Sequence, residues 1–148
     1  MKFSTRVEYG VLALTDIALH TENGDSVSAP EIADRQKISQ KYLEQILTHL
    51  KQAGLIRSQK GLRGGYTLAR KAEEIRLSDV LNALDTSILE EMPPGESGDG
   101  SALRDAVNTC LWKKLNGLIT EFTEKKSLAE FARECREKTP DSWDLYII

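Results

Sequence analysis

The chain has 148 residues, 40% of them hydrophobic and 29% charged, with a net charge of −3. That balance suits a folded globular protein of one domain or two small lobes and is too apolar for wholesale disorder. No apolar run approaches the roughly 20 residues of a membrane helix, and the start MKFSTRVEYG has no signal-peptide pattern, so a cytoplasmic protein is expected. Two cysteines, Cys110 and Cys135, are too few for a disulfide scaffold and lack the short spacing of a zinc or iron–sulfur site.

The charge is unevenly distributed. Residues 1–72 hold 11 Lys and Arg against 7 Asp and Glu, net +4; residues 73–148 hold 9 against 16, net −7. The basic half is where phosphate contacts are expected.

Taken in chain order, Ser4 caps a first helix over 4–22, with Val7, Val11, Leu14 and Ala18 on one face and Asn23-Gly24-Asp25 as the stop. Ser28-Ala29-Pro30-Glu31 pairs a serine cap with a glutamate three residues on, which predicts a short second helix to about Gln36. Ser39 caps a third helix in which Leu43, Ile46, Leu47 and Leu50 face a core, leaving Gln40, Lys41, Glu44, Gln45, Thr48 and Lys51 outside. Gly54 ends it. Leu55–Lys60 and Tyr66–Arg70 then read as strands around the basic, glycine-rich tip Gly61-Leu62-Arg63-Gly64-Gly65.

Ser78 is the expected cap of a fourth helix striped by Leu77, Val80, Leu81 and Leu84. Residues 86–100, acidic and rich in Pro, Gly and Ser, read as a mobile loop. From Ser101 to Lys126 a long helix is expected, with Leu103, Val107, Leu111, Leu115, Leu118 and Phe122 in a stripe that Trp112 and Ile119 widen. Its length of roughly 39 Å exceeds the width of a small domain, so the stripe is read as a dimer seam rather than an internal core. Ser127-Leu128-Ala129-Glu130 opens a last helix containing Phe131 and Cys135, and the chain continues into the apolar-aromatic Trp143–Ile148. The domain reading is 1–85 for nucleic acid, 86–100 as linker, and 101–148 for dimerisation.

The fold class expected is mainly α with a small β-hairpin wing: a winged helix-turn-helix plus a long dimerisation helix. The third helix can enter a major groove about 12 Å wide, where Gln40, Lys41, Tyr42 and Gln45 reach base edges or phosphates. The start of the second helix, at Ser28 and Ala29, offers backbone N–H groups to a phosphate. Lys60 and Arg63 extend this surface onto the wing, whose glycines permit close approach. His20 and His49 read as structural histidines, and Cys110 as a small core residue. Cys135, beside Arg133 and Arg136, has the better claim to reactivity, although a structural role is favoured for both thiols. No nucleophile motif, acid–base pair or phosphate-cradling loop supports an enzyme.

The opening F-S-T-R-x-x-Y-G, the run I-S-Q-K-Y-L-E-Q-I-L from Ile38, the A-G-L-I-R-S segment and the wing K-G-x-R-G-G-Y-x-L resemble the Rrf-two family of bacterial regulators, the group containing IscR, NsrR and CymR. The resemblance implies a homodimer paired along the long helices and holding two winged heads to a palindromic operator on double-stranded DNA, as a transcriptional repressor. It places Ser28, Gln40, Tyr42, Lys60 and Arg63 at the DNA, with Arg6 and Tyr9 near the backbone; the full set of DNA-binding residues expected adds Ser39, Lys41, Gln45 and Gly64. Glu44 matches a position that can influence base choice in the family, the alternative being that it only bonds its neighbours. Many relatives hold an iron–sulfur cluster through three cysteines, but Asp85 to Thr109 contains none here, and Glu8, in the region of a carboxylate ligand, cannot hold a cluster alone. No cofactor or metal is therefore expected. The chain looks closest to the cluster-free, CymR-like branch, which implies control of cysteine metabolism. The Tyr146-Ile147-Ile148 segment is similar to tails that dock cysteine synthase, so a protein-interaction module is the alternative function.

Overall fold

The computed structural model describes residues 2–61, 64–90 and 101–139. Ser4 opens α1 (Thr5–His20), its hydroxyl accepting the Val7 N–H at 3.3 Å, and Val7, Leu14, Ile17 and Ala18 are buried. The helix ends at Thr21, just short of the expected stop, where the Thr21 hydroxyl turns back onto the Ile17 carbonyl. A capping box starts α2 (Ala29–Gln36): Ser28 Oγ accepts the Glu31 N–H at 3.3 Å, and the Glu31 carboxylate accepts the Ser28 N–H at 2.9 Å. Lys37, left-handed at φ 56°, closes α2, and Ser39 caps α3 (Gln40–Gln52) two residues later. Leu43, Ile46, Leu47 and Leu50 are all buried, as their spacing requires.

The chain then forms an antiparallel hairpin of β1 (Ile56–Gln59) and β2 (Gly65–Leu68), each strand shorter than read from sequence, with Ile56 opposite Leu68 and Gln59 opposite Gly65. Val27 adds a bridge along the far edge of β2, donating its N–H to the Tyr66 carbonyl at 3.1 Å and accepting the Tyr66 N–H at 2.6 Å. The wing is thereby fastened to the segment that leads into α2.

That fastening depends on Gly65. A Cβ there would lie 2.5 Å from the Val27 carbonyl oxygen and 3.2 Å from the Ser28 nitrogen, both backbone atoms that cannot swing aside. Gly65→Ala is expected to cost about 1–3 kcal/mol of stability, the usual range for overpacking a close contact. Hydrogen exchange at the Val27 and Tyr66 amides should accelerate with it. Unchanged protection at those two amides would show that the bridge tolerates a side chain.

Ahead of α4 (Leu77–Leu84), the N-cap is Arg76 and not Ser78: the Asp79 carboxylate accepts the Arg76 N–H at 2.9 Å, while Ser78 is buried inside the helix. The cause is tertiary. Leu77 donates to the Lys126 carbonyl at 3.0 Å and Leu128 to the Ile75 carbonyl at 2.8 Å, and this bridge fixes where the helix begins.

The long helix comprises α5 (Ser101–Val107), a π-helical turn over Asn108–Trp112, and α6 (Lys113–Lys125); helical dihedrals at Val107 and Lys113 make it one rod. An unbroken α-helix was the expectation. Three consecutive four-residue steps, Leu103 to Leu115, drift by about 40° each on a helix of 3.6 residues per turn, and a wider π turn takes up part of that drift. Ser127 then caps α7 (Leu128–Lys138), accepting the Glu130 N–H at 3.1 Å. Leu128 and Ala132 bury α7 in the same core as α1, and α6 packs on α4.

Candidate nucleic-acid interface

The two faces of α3 divide as the sequence requires. Opposite its buried leucine and isoleucine face, Gln40, Lys41, Glu44, Gln45, Thr48 and Lys51 are all exposed. Gln40 Nε2 donates to Glu44 Oε1 at 3.2 Å, so that pair is internally engaged. Lys51 Nζ reaches Ser58 Oγ at 2.9 Å, an exposed contact between the end of α3 and β1. Tyr42 is half-buried, its ring edge-on to Tyr9 with centroids 6.1 Å apart, so these two side chains join α3 to α1. Ser39 is exposed, with its hydroxyl accepting the Tyr42 N–H at 3.3 Å.

Gln59, Lys60 and Gly61 are exposed along the wing; Gly61 takes φ 118°, and Gly64 folds back to donate to the Gly61 carbonyl at 2.9 Å. Arg63 lies outside the described residues. Arg6 is exposed on the first turn of α1. The start of α2 differs from expectation. Ser28 Oγ occupies the Glu31 N–H, the Ser28 carbonyl accepts from Ile32 at 3.2 Å, and residue 30 is a proline. The capping box that builds the helix thus engages the Ser28 N–H, one of the two donors expected to face a phosphate, but not that of Ala29, and brings the Glu31 carboxylate to Ser28.

A buried ion pair underlies this surface and was not anticipated from the sequence. Asp16, 3% exposed toward the C-terminal end of α1, accepts Arg35 Nη2 at 2.8 Å, Arg35 Nε at 3.0 Å and Gln36 Nε2 at 2.7 Å. His20 Nδ1 lies 3.4 Å from the same carboxylate and is half-buried. Burial alone would raise the Asp16 pKa; hydrogen bonds from His20, Arg35 and Gln36, with the Arg35 charge, outweigh it and lower the value to about 2. The signal was present in α1, where an aspartate interrupts the run Ala13-Leu14-Thr15-Asp16-Ile17-Ala18.

Cys110, expected in the core, is exposed, as are residues 102–107, 109 and 111–115 around it. Cys135 is half-buried; burial and then the Glu134 charge push its thiol pKa up, the opposite of what its arginine neighbours suggested. Arg136 is engaged by Glu22 at 2.9 Å. Among the described residues no group of three or more His, Cys, Asp or Glu is placed to hold a metal. The apolar stripe of the long helix is uncovered: Leu103 is 73% exposed, Leu118 65% and Phe122 57%, and Val107, Leu111, Trp112 and Leu115 are exposed with them.

The family model for Rrf2, described as an iron-dependent transcriptional regulator, matches residues 3–134. The chain belongs to the Rrf2 family. It is 38% identical over 130 residues to the HTH-type transcriptional regulator IscR of Aliivibrio salmonicida, covering 88% of this chain and 76% of that one. IscR of Cereibacter sphaeroides is 36% identical over 136 residues, covering 90% and 88%. Among solved structures, CymR of B. subtilis superposes with a TM-score of 0.76 at 27% identity, covering 90% of this chain and 98% of that one. IscR of T. potens gives 0.74 at 33% identity, covering 94% and 91%. The winged-helix fold, the DNA-binding regulator class and the non-enzymatic character follow from these relationships. The residues here do not fit a cluster held by three cysteines. The whole chain has two, none of them between Asp85 and Thr109, and they lie on different helices. The Trp143–Ile148 segment lies outside the described residues.

Proposed function

We propose that this Rrf2 regulator is a homodimer that binds a roughly palindromic operator and represses transcription. The uncovered stripe from Leu103 to Phe122 supports this reading, since a two-fold seam would cover it and deliver two winged heads to two half-sites. In this reading residues 1–85 form the DNA-binding domain, 86–100 link it, and 101–148 dimerise. Gln40, Lys41 and Gln45 enter the major groove with Glu44 setting base choice. Ser39 and Tyr42 position that helix, and Lys60, Arg63 and Gly64 carry the wing to the adjacent backbone. Arg6, Tyr9 and Ser28 border the phosphates, Ser28 through its side chain rather than through a free helix end. The donor set argues for regulation without an iron–sulfur cluster, and protein purified anaerobically should be colourless and iron-free. The likeness to CymR, the global cysteine regulator of B. subtilis, makes genes of cysteine metabolism the first regulon to test.

The deciding experiment is selection of bound duplexes from genomic DNA by the purified protein at low salt, followed by affinity measured against salt. A steep decline of log affinity with log salt is expected on a palindromic duplex. Recovery of no sequence above background would remove the operator reading. On the selected duplex, Lys60→Ala should reduce the salt slope by about one with little change in sequence preference, as for a phosphate contact. Gln45→Ala should cost about 1–3 kcal/mol and relax preference at one base pair. The reverse pattern would exchange the two roles.

A further inference from the structure

Behind the wing lies a second charged surface that the DNA reading leaves unused. A cleft of about 720 Å³ opens between the wing strands, the end of α1, residues 69–73 and α7, within the size range of small-molecule sites. Five cations line it, Arg57, Arg70, Lys71, Arg133 and Arg136, against the carboxylates of Glu22 and Glu73. Arg136 is held by Glu22, and Arg70 donates to the Glu74 carbonyl at 2.8 Å. Arg57, Lys71 and Arg133 are exposed and enter no ion pair among the described residues. Thr67, 9% exposed, also lines the cleft, and its buried hydroxyl has no hydrogen-bond partner among those residues.

Strand geometry separates this cleft from the recognition helix. Ser58 faces α3, where it meets Lys51; its neighbours Arg57 and Gln59 therefore project to the opposite face of the hairpin and line the cleft. A duplex seated on α3 meets the other side of the sheet.

We propose that this cleft binds a free, phosphate-bearing small molecule, with Arg57 on the wing and Arg133 on α7 gripping its oxyanion. The planar guanidinium fork matches phosphate oxygens bidentately, and two such forks on different elements give the selectivity that one exposed cation lacks. A ligand held between β1 and α7 restrains the wing relative to the helical body and so changes operator affinity. That coupling rests on the DNA reading above; the binding itself does not.

The test is titration of inorganic phosphate into the full chain at constant ionic strength, followed by amide chemical shifts. Saturable shifts at Arg57, Thr67 and Arg133 are expected, and Arg57→Gln and Arg133→Gln should each raise the apparent Kd at least tenfold. Both side chains are exposed, so circular dichroism should show an unchanged fold. Operator affinity without phosphate should also be unchanged in both variants. Equal shifts with chloride, or an unaltered Kd in the variants, would overturn the site. Operator affinity lost in both variants without phosphate would assign the cleft to the DNA backbone and overturn it equally. Saturable binding that leaves operator affinity unmoved would overturn the coupling while supporting the site, and failure to find any operator would bear on the DNA reading alone.

Discussion

Replacing Leu111 and Leu118 together with glutamate is expected to leave the protein monomeric at micromolar concentration and to lower operator affinity at least 100-fold. Leu118 is 65% exposed and Leu111 45% in the isolated chain, within an apolar stripe that also includes Leu103, Val107, Leu115 and Phe122. Contiguous apolar surface of this kind marks an interaction face. Burying each leucine in a two-fold seam contributes about 1.5–3 kcal/mol, and a carboxylate in its place adds a desolvation cost. Two protomers double both effects. Because the side chains are exposed in the single chain, the variant should keep its fold, which circular dichroism can check. The loss of DNA binding arises from geometry: one head held next to its partner gains roughly 10²–10⁴ in effective affinity that a lone head lacks. Light scattering and a binding titration on the same preparation decide the matter. A variant that remains dimeric would place the seam elsewhere, and a monomer with undiminished operator affinity would show that one head suffices.

The helix starts were legible because caps are local. Ser4, Ser28, Ser39 and Ser127 each satisfy an N–H three residues on, a relation contained in four consecutive residues. Ser78 misled because the start of α4 is set by hydrogen bonds between Ile75–Leu77 and Lys126–Leu128, about 50 residues apart in the chain. The π turn at Asn108–Trp112 was hidden for a different reason: its motive is the phase of an apolar stripe, which a count of spacings registers as present without stating how the backbone keeps it in line. Of the candidate interface, the exposed set on α3 was readable from periodicity alone. The occupied Ser28 N–H at α2 was also implicit in the sequence, since the same Ser-Ala-Pro-Glu that announces a capping box commits that group. The role of Gly65 and the bridge it permits depend on where Val27 lies, which no local pattern specifies.

The ion pair beneath the helix-turn-helix supports the second large expected effect: Arg35→Ala should lower stability by about 3–5 kcal/mol near neutral pH, the usual consequence of stranding a buried charge. Asp16 is almost fully buried, and Arg35 supplies two of its hydrogen bonds and its nearest full positive charge. The contact ties α2 to α1, so its loss should also loosen the geometry that presents α3. Its pH dependence follows from the Asp16 pKa, lowered in the folded protein to about 2 from a usual carboxylate value of 3.8. A depressed acid stabilises the fold fully above the unfolded pKa, and the unfolded chain takes up protons first as pH falls. The parent should therefore lose roughly 2 kcal/mol from this group between about pH 4 and pH 2. In Arg35→Ala the carboxyl keeps the His20 and Gln36 hydrogen bonds but has lost the Arg35 hydrogen bonds and charge that help offset burial, and it protonates in the folded state at higher pH, so the gap between parent and variant, widest above pH 4, should narrow through that window. Urea unfolding midpoints for both proteins at a series of pH values measure this directly. Parallel curves down to pH 2 would show that Asp16 does not anchor α2 through its charge, whereas convergence places the electrostatic contribution of this pair in the helix-turn-helix itself.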